Sequence, residues 1–544
     1  MTDRDLLKKH VVSTFEGLKA ERALIESSIW EAYSYMNERV STGPKFIQEK
    51  LLYDTSHIEY LNTMANGIMA NLCSPNVRWF KFVVKDSDNY AGINDWLELA
   101  ESTIYQAFNN SRFYPQSQDA IRDAIIGGTS YEMTSINNGK VVHECLDPQE
   151  CYISDNVFHE VEVFYRKYTI TANQALEFFD KDCPQEIKMI VERGSGYDKV
   201  SFLHAIFPES EKFKCKVKTH KFHSVHYCYL TGEIIKIGGY IEFPVAVHRF
   251  VSKSNSPYGK GLISDLIVDI KRIQSYCYDE SYAIDTMNKP PLFAPETLRG
   301  KFKLTPGAIN YGDLNKGIPV PFNITTNLQY LHNKIETLKY DLSKRFYVDL
   351  FQLVAQNDRQ RTMYEVNKIE GRRLMLLSAV IGNIQVEKLN PIVSRVLNLL
   401  LINSKIKELP QGLIASQKES EIDLLTIELD GLLAQNLKAY QQNVGLEEGL
   451  MALSTVGQLS PETLVNFDFD QIARQFASVK GLPQTCIREK EEVAKLKEAA
   501  ANKMKQKEMM EVEQARIDNL NKMADSGLLD SGSPAQKASF GGVI

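Results

Sequence analysis

Apolar positions recur every three or four residues at the amino end of the chain. Leu7, Val11, Phe15, Leu18, Ala20 and Ile25 stand between Lys and Glu, which predicts a helix within residues 1–40. Residues 53–73 repeat the pattern, with His57, Leu61, Met64, Ile68 and Leu72 on one face. Pro75 ends that helix, because its ring clashes with the preceding turn and it has no N–H to donate. Trp79–Val84 lines up aromatic and β-branched residues and predicts a strand. Residues 93–126 predict helix again, and 129–170 mostly strand, with Asn137-Asn138-Gly139 at a hairpin turn. One helix opening at the N-cap Thr171 is expected over 171–193. Residues 200–250 predict further strands, with Thr231-Gly232 as a second hairpin signal. The first half is therefore mixed α+β.

The second half changes period. Leu262, Leu266, Ile270, Ile273, Cys277, Ile284 and Met287 predict a long helix over 262–287, closed by Lys289-Pro290-Pro291. A stretch rich in Pro and Gly fills 290–326. A second long helix, about 327–353, carries Leu328, Leu331, Ile335, Leu338, Leu342 and Phe346 on one stripe. After a polar break at 355–362, a third helix is expected from 363 to 404, kinked at Asn390-Pro391. Its segment 374–384 is apolar all round, which calls for cover on every side, from a thick core or from neighbouring subunits. Short helices are expected over 431–480, then a Lys/Glu/Ala/Met helix from Arg488 that weakens near 520, and a small, polar, disordered end.

Composition narrows the function. The 544 residues are 43% hydrophobic and 24% charged, with a net charge of −6. A protein that grips duplex DNA usually shows a basic surplus, so any nucleic acid here is handled loosely or locally. No run approaches the ~18–20 apolar residues of a membrane span, and the amino terminus lacks the apolar core of a secretion signal. The eight cysteines form no CxxC pair and read as reduced, mostly buried thiols.

Catalytic signatures are missing. The chain has no GxxxxGK[ST], HExxH, GxSxG or GxGxxG, and no cofactor is expected. His220, His223 and His226 lie within seven residues, yet strand geometry puts alternate positions on opposite faces and no acid stands among them. Partly exposed strand histidines are the preferred reading, and no metal site is expected. Asp279-Glu280, Glu447-Glu448, Glu491-Glu492 and the Asp265/Asp269 pair sit in polar helical settings, where solvated faces account for them.

A set of ordered segments resembles the portal, or head-to-tail connector, family of short-tailed DNA bacteriophages. They are NGIMANLCSPNVRWFKF (66–82), FNNSRFYPQSQDAIRDAIIGGTSYE (108–132), LDPQECYISDN (146–156), YRKYTITANQALEFF (165–179), FVSKSNSPYGKGLISDLIVDIKRIQ (250–274), NKPPLFAP (288–295), RTMYEVNKIEGRRLMLL (361–377) and LNPIVSRVLNLLL (389–401). No single segment is diagnostic; their number and order carry the resemblance. In one respect the chain departs from the pattern: some members have a more acidic tail, and this one mixes Lys with Glu.

The resemblance implies an α+β portal fold assembled as a ring, usually of twelve subunits. The expected parts are an N-terminal helix (1–39), a mixed wing (40–261), a first stem helix (262–289), a clip (290–326), a second stem helix (327–354) and a tunnel loop (355–362). A kinked spine with a return to the wing (363–429), a helical crown (430–525) and a disordered tail (526–544) complete the chain. The implied partners are identical subunits, double-stranded DNA in the channel, the terminase motor, tail adaptor or tube proteins, and the major capsid and scaffolding proteins. The implied place is the capsid vertex at the head–tail junction of the virion, after assembly in the host cytoplasm.

Within that frame the net negative charge lets DNA slide without sticking. Local guides are expected at Lys334, Lys344 and Arg345 on the second stem helix, and at Gln356, Asn357, Asp358, Arg359, Gln360 and Arg361 in the loop. Lys301, Lys303, Tyr311 and Lys316 are the expected partner contacts of the clip. Two alternatives stay open: another oligomeric virion scaffold or adaptor without a DNA channel, and an enzyme with an unrecognised site.

Overall fold

The computed structural model describes residues 3–37, 51–84, 93–215, 217–290, 292–293, 320–321, 327–352, 378–406, 425–429, 472, 509–510 and 512–518. The chain divides into two compact units, Met1–Lys438 and Ala439–Ile544. In the second, residues 512–518 are helical and exposed. In the first, helix and sheet are mixed, as the two periods in the sequence require.

A five-stranded antiparallel sheet is built from β4 (Cys151–Asp155), β5 (Val161–Thr171), β6 (Lys199–Pro208), β7 (Phe222–Cys228) and β8 (Glu233–Tyr240), in that order. Strand alternation divides its side chains between two faces. Leu203, Ala205 and Phe207 of β6 meet Leu7, Val11, Phe15 and Leu18 of the N-terminal helix α1 (Asp3–Met36). On the opposite face, Phe202 meets Ala175 and Phe179 of α5 (Ala172–Phe179), and Ile206 meets Tyr131 and Val247 of the neighbouring sheet. That second sheet has the order β3 (Lys140–Leu146), β2 (Thr129–Asn137), β9 (Val245–Arg249). Its β2–β3 hairpin turns at Asn138 and Gly139, both at positive φ, as a two-residue Asn-Gly turn demands.

The largest core gathers α2 (Ser56–Leu72), α3 (Ile93–Asn110), α4 (Phe113–Gly127), α7 (Leu262–Asn288) and α8 (Leu328–Arg345). At its centre the fully buried Trp79 stacks on Phe108 and Phe113. Just after it, strand β1 (Phe80–Val84) pairs with the strand Leu425–Leu429. All five residues expected on one face of α2 are buried.

Three expectations need correction, each for a local reason. The helix over 93–126 is two, because the Ser111 hydroxyl donates to the Phe108 carbonyl (2.9 Å) and accepts from the Phe113 N–H (3.2 Å), displacing helical bonds. The helix over 171–193 does open in a capping box at Thr171 and Gln174. It then breaks through a short 3-10 turn, Asp180–Asp182, and restarts after Pro184 as α6 (Gln185–Glu192). The second long helix stops at Arg345: Tyr347 takes φ 53°, and α9 (Val348–Gln352) swings back onto α2, where Phe351 occupies the space a Cβ at Gly67 would need. The kink expected at Asn390-Pro391 falls where α-helical bonding is interrupted. Helix α10 (Ser378–Asn383) passes through a π-helical turn, Ile384–Leu389, into α11 (Asn390–Ile402), so the i→i−5 bond from the Asn390 N–H to Gln385 absorbs the bond that Pro391 cannot make.

Of the all-apolar segment, 378–384 is described, and Val380 and Ile381 are only half-buried within one chain. Five of the seven described cysteines are buried.

Candidate functional site

The carboxyl end of α4 and the start of α7 are locked by glycines. Gly128 caps α4 at φ 89°, and a Cβ there would overlap the Gly259 carbonyl oxygen. A Cβ at Gly261, the N-cap of α7, would overlap the Ile126 carbonyl. Only glycine permits this backbone crossing, which fixes the base of α7 to the wall of the large core.

From that base α7 and α8 run antiparallel. Asp269 accepts from Arg345 (3.0 Å), while Glu280, further along α7, pairs with His332, earlier on α8 (3.2 Å). A third tie passes through Asp54. Its carboxylate accepts from Lys339 of α8 (2.6 Å), and its backbone exchanges hydrogen bonds with Gln274 of α7 (2.7 Å and 3.2 Å). Burial pushes the Asp54 carboxyl up, but Lys339 and Ser56 outweigh this and hold it below the usual carboxylate range. Past the far ends of the pair, Leu292–Phe293 and Val320–Pro321 form a two-residue antiparallel ribbon.

The two helices carry opposite charge. Helix α7 has five acids against two bases, and α8 has Lys334, Lys339, Lys344 and Arg345 against two acids. Lys334 is exposed, Lys344 lies over the Tyr340 ring at 4.0 Å, and Arg345 is exposed but engaged with Asp269. The pair also bares apolar surface: Val268, Tyr278, Tyr282, Ile284 and Met287 on α7, and Tyr330 and Tyr340 on α8. Ile284 and Met287, expected in the buried stripe, are 43% and 54% exposed, because α7 outruns the core beyond Cys277. The loop residues Gln356, Asn357, Asp358, Arg359, Gln360 and Arg361, and the clip residues Lys301, Lys303, Tyr311 and Lys316, lie outside the described residues.

A second feature escaped the sequence reading. Lys388, in the π-helical turn, is fully buried and forms an ion pair with Glu132 of β2. The same carboxylate accepts from Ser117 of α4 and from His143 of β3, both at 2.8 Å, and Thr134 completes the chain at the other His143 nitrogen (2.9 Å). Burial alone would raise the Glu132 carboxyl; Lys388 and His143 drive it well below the usual range. Nearby, Arg249 donates to Glu387 from its side chain (2.9 Å) and backbone (2.8 Å), and Arg395 donates to Glu242 (3.0 Å). The helix spanning 378–402 is thus pinned to the sheets by buried ionic contacts. The signal was there to be read: Lys388 and Arg395 fall on the apolar stripe of Ile384, Ile392 and Leu399.

The three histidines singled out earlier are not brought together as ligands. His223 and His226 are buried, contrary to the expectation of partial exposure, since both faces of β7 are covered. His226 stacks on His204 (4.1 Å between ring centroids) and His223 on Phe207 (5.0 Å). Among the described residues no group of His, Cys, Asp and Glu is arranged to hold a metal, and no helix is long and apolar enough to cross a membrane.

Residues 8–487 match the sequence family described as bacteriophage head to tail connecting protein. The chain is 23% identical to a portal protein of Salmonella phage epsilon15, with 96% of each chain covered. It is 24% identical to a probable portal protein of Bordetella phage BPP-1, with 91% of each covered.

Proposed function

The chain belongs to the bacteriophage head to tail connecting protein family, and from that premise we propose that it is the portal subunit of a short-tailed phage. It forms a closed ring, of twelve copies in the usual arrangement, at one capsid vertex, and the genome passes through the ring during packaging and ejection. The role is structural and not catalytic. The observation that carries the reading is the match over residues 8–487, which takes in both long helices and the segment between them.

The parts follow the chain order. The two sheets and their helices, within 40–261, act as the wing, with the N-terminal helix 1–39 laid across them. Helices α7 and α8 act as the stem, 290–326 as the clip, 355–362 as the tunnel loop, 363–429 as the spine and 430–525 as the crown. Two properties support the stem assignment. The pair is antiparallel and tied at three levels, so it resists shear along its length. Its bared Val, Ile, Met and Tyr side chains need cover that one chain does not supply, and neighbouring copies in a ring supply it.

In the ring, Lys334, Lys344 and Arg345 recur once per subunit as belts of positive charge. A body with net charge −6 per copy repels phosphate, so the belts guide DNA without holding it. The clip docks the terminase motor first and the tail adaptor afterwards, through Lys301, Lys303, Tyr311 and Lys316. The test is a phage carrying the gene with residues 299–317 deleted. Heads should contain the ring yet stay empty of DNA and tailless. Normal filling and tailing of those heads would contradict the docking assignment.

A further inference from the structure

The loop between β6 and β7 concentrates positive charge in an acidic chain. Residues 209–221 hold Lys212, Lys214, Lys216, Lys218 and Lys221 against Glu209 and Glu211. Lys216 lies outside the described residues; the other four lysines are exposed. Among the described residues none of the four forms an ion pair.

The loop is held in place. The His223 ring is hydrogen-bonded to the Phe213 carbonyl (3.0 Å), the Cys215 N–H donates to Glu209 (2.9 Å), and the Phe213 ring lies on His10 of α1 (4.8 Å). Between the loop, the start of α1 and β8 opens a recess of about 730 Å³. Arg4, Lys212 and Lys214 stand on its walls with His220 and His223, and Gly238-Gly239 line it without side chains. Asp3 and Glu211 also line it and are outnumbered. The crowding of positive groups is felt at His10, whose pKa falls through burial and then through His223 and Lys212.

We propose that this lobe is a binding surface for the phosphate backbone of double-stranded DNA, separate from the stem. It packs in the core of Leu7, Val11, Phe207 and Val225, whereas α7 and α8 pack in another. Lysines on flexible stems act as point charges, which suit a spread row of phosphates and read no bases. An acidic protein partner would need apolar anchors at the centre of its contact. The loop offers one exposed apolar side chain, Val217, since Phe213 is spent on His10. The surface requires only that duplex DNA reach this face, and it stands whether or not the stem lines a channel.

The test is fluorescence anisotropy of a labelled random-sequence duplex against the full-length protein over a salt series. Each phosphate contact contributes about 0.9 to the slope of log K against log salt. The variant with Lys212, Lys214, Lys218 and Lys221 all changed to Ala should bind at least about tenfold more weakly at low salt and lose about 2–4 from the slope. The matching Lys→Arg variant should keep both, and Lys334→Ala/Lys344→Ala/Arg345→Ala should keep the loop's share of the slope. Unchanged affinity and slope in the loop alanine variant would overturn the proposal. So would loss of poly-glutamate binding with duplex binding intact, which would assign the surface to an acidic polypeptide.

Discussion

Lys388 and Glu132 form an ion pair from which water is excluded: the two side chains are 0% and 1% exposed. The lysine comes from a π-helical turn and the glutamate from β2, so the pair welds the helix over 378–402 to the three-stranded sheet. Removing one partner leaves the other charged and buried. Lys388→Met or Glu132→Gln should each cost about 3–5 kcal/mol. The double variant Lys388→Met/Glu132→Gln should recover much of that loss, because it buries no bare charge. Denaturant unfolding of the three variants checks this; a double variant as unstable as the sum of the two would contradict it.

Buried histidines make stability depend on pH. Burial lowers His248 to about 3 and, with the nearby Lys236, lowers His226 to about 4; His204 is also depressed. All three fold as neutral rings, and the unfolded chain takes up protons near 6.5. Below that pH the unfolded state binds more protons, so stability is full above about pH 6.5 and falls as pH drops toward 4. Glu132 opposes acid less, since its depressed pKa brings its own loss only below the carboxylate range near 4. His226→Phe should therefore flatten the melting-temperature profile between pH 7 and 4. A profile as steep as that of the parent would refute the assignment.

Gly128 is irreplaceable on two counts, its φ of 89° and the Gly259 carbonyl where a Cβ would go. Gly128→Ala should cost more than the ~1–3 kcal/mol typical of a strained left-handed position, because backbone must also move. It should loosen the base of α7, seen as faster amide exchange over 259–266. Gly17→Ala, with open space at its Cβ and a helical position, should instead stabilise by about 0.5–1 kcal/mol.

The exposed Arg345–Asp269 pair should matter little to folding. Arg345→Ala should change stability by less than about 1 kcal/mol. With Lys334→Ala and Lys344→Ala added, rings should still assemble, and retention of packaged DNA should fall. Unaltered DNA retention in the triple variant would remove these residues from the channel.

How much of this was legible beforehand varies by element. Periodicity placed α2, α7 and α8 and both hairpins, since an amphipathic stripe or a turn Gly is written locally. It failed at Ser111, Pro184 and Tyr347, where a single side chain or a tertiary packing need ended a helix whose pattern ran on. It missed the Lys388 network because the partners are scattered from Ser117 to Lys388, and spacing along the chain does not reveal a pair that only folding brings together. The expectations of a ring, a clip and a tunnel loop rest on the family resemblance, since no periodicity contains them.

The central claim is a closed ring with an open axis. Purified full-length protein should be imaged end-on by electron microscopy at micromolar concentration and physiological salt. The account predicts circular particles of uniform subunit number, near twelve, with a central hole. Stable monomers, open filaments or solid discs without an axial opening would contradict it.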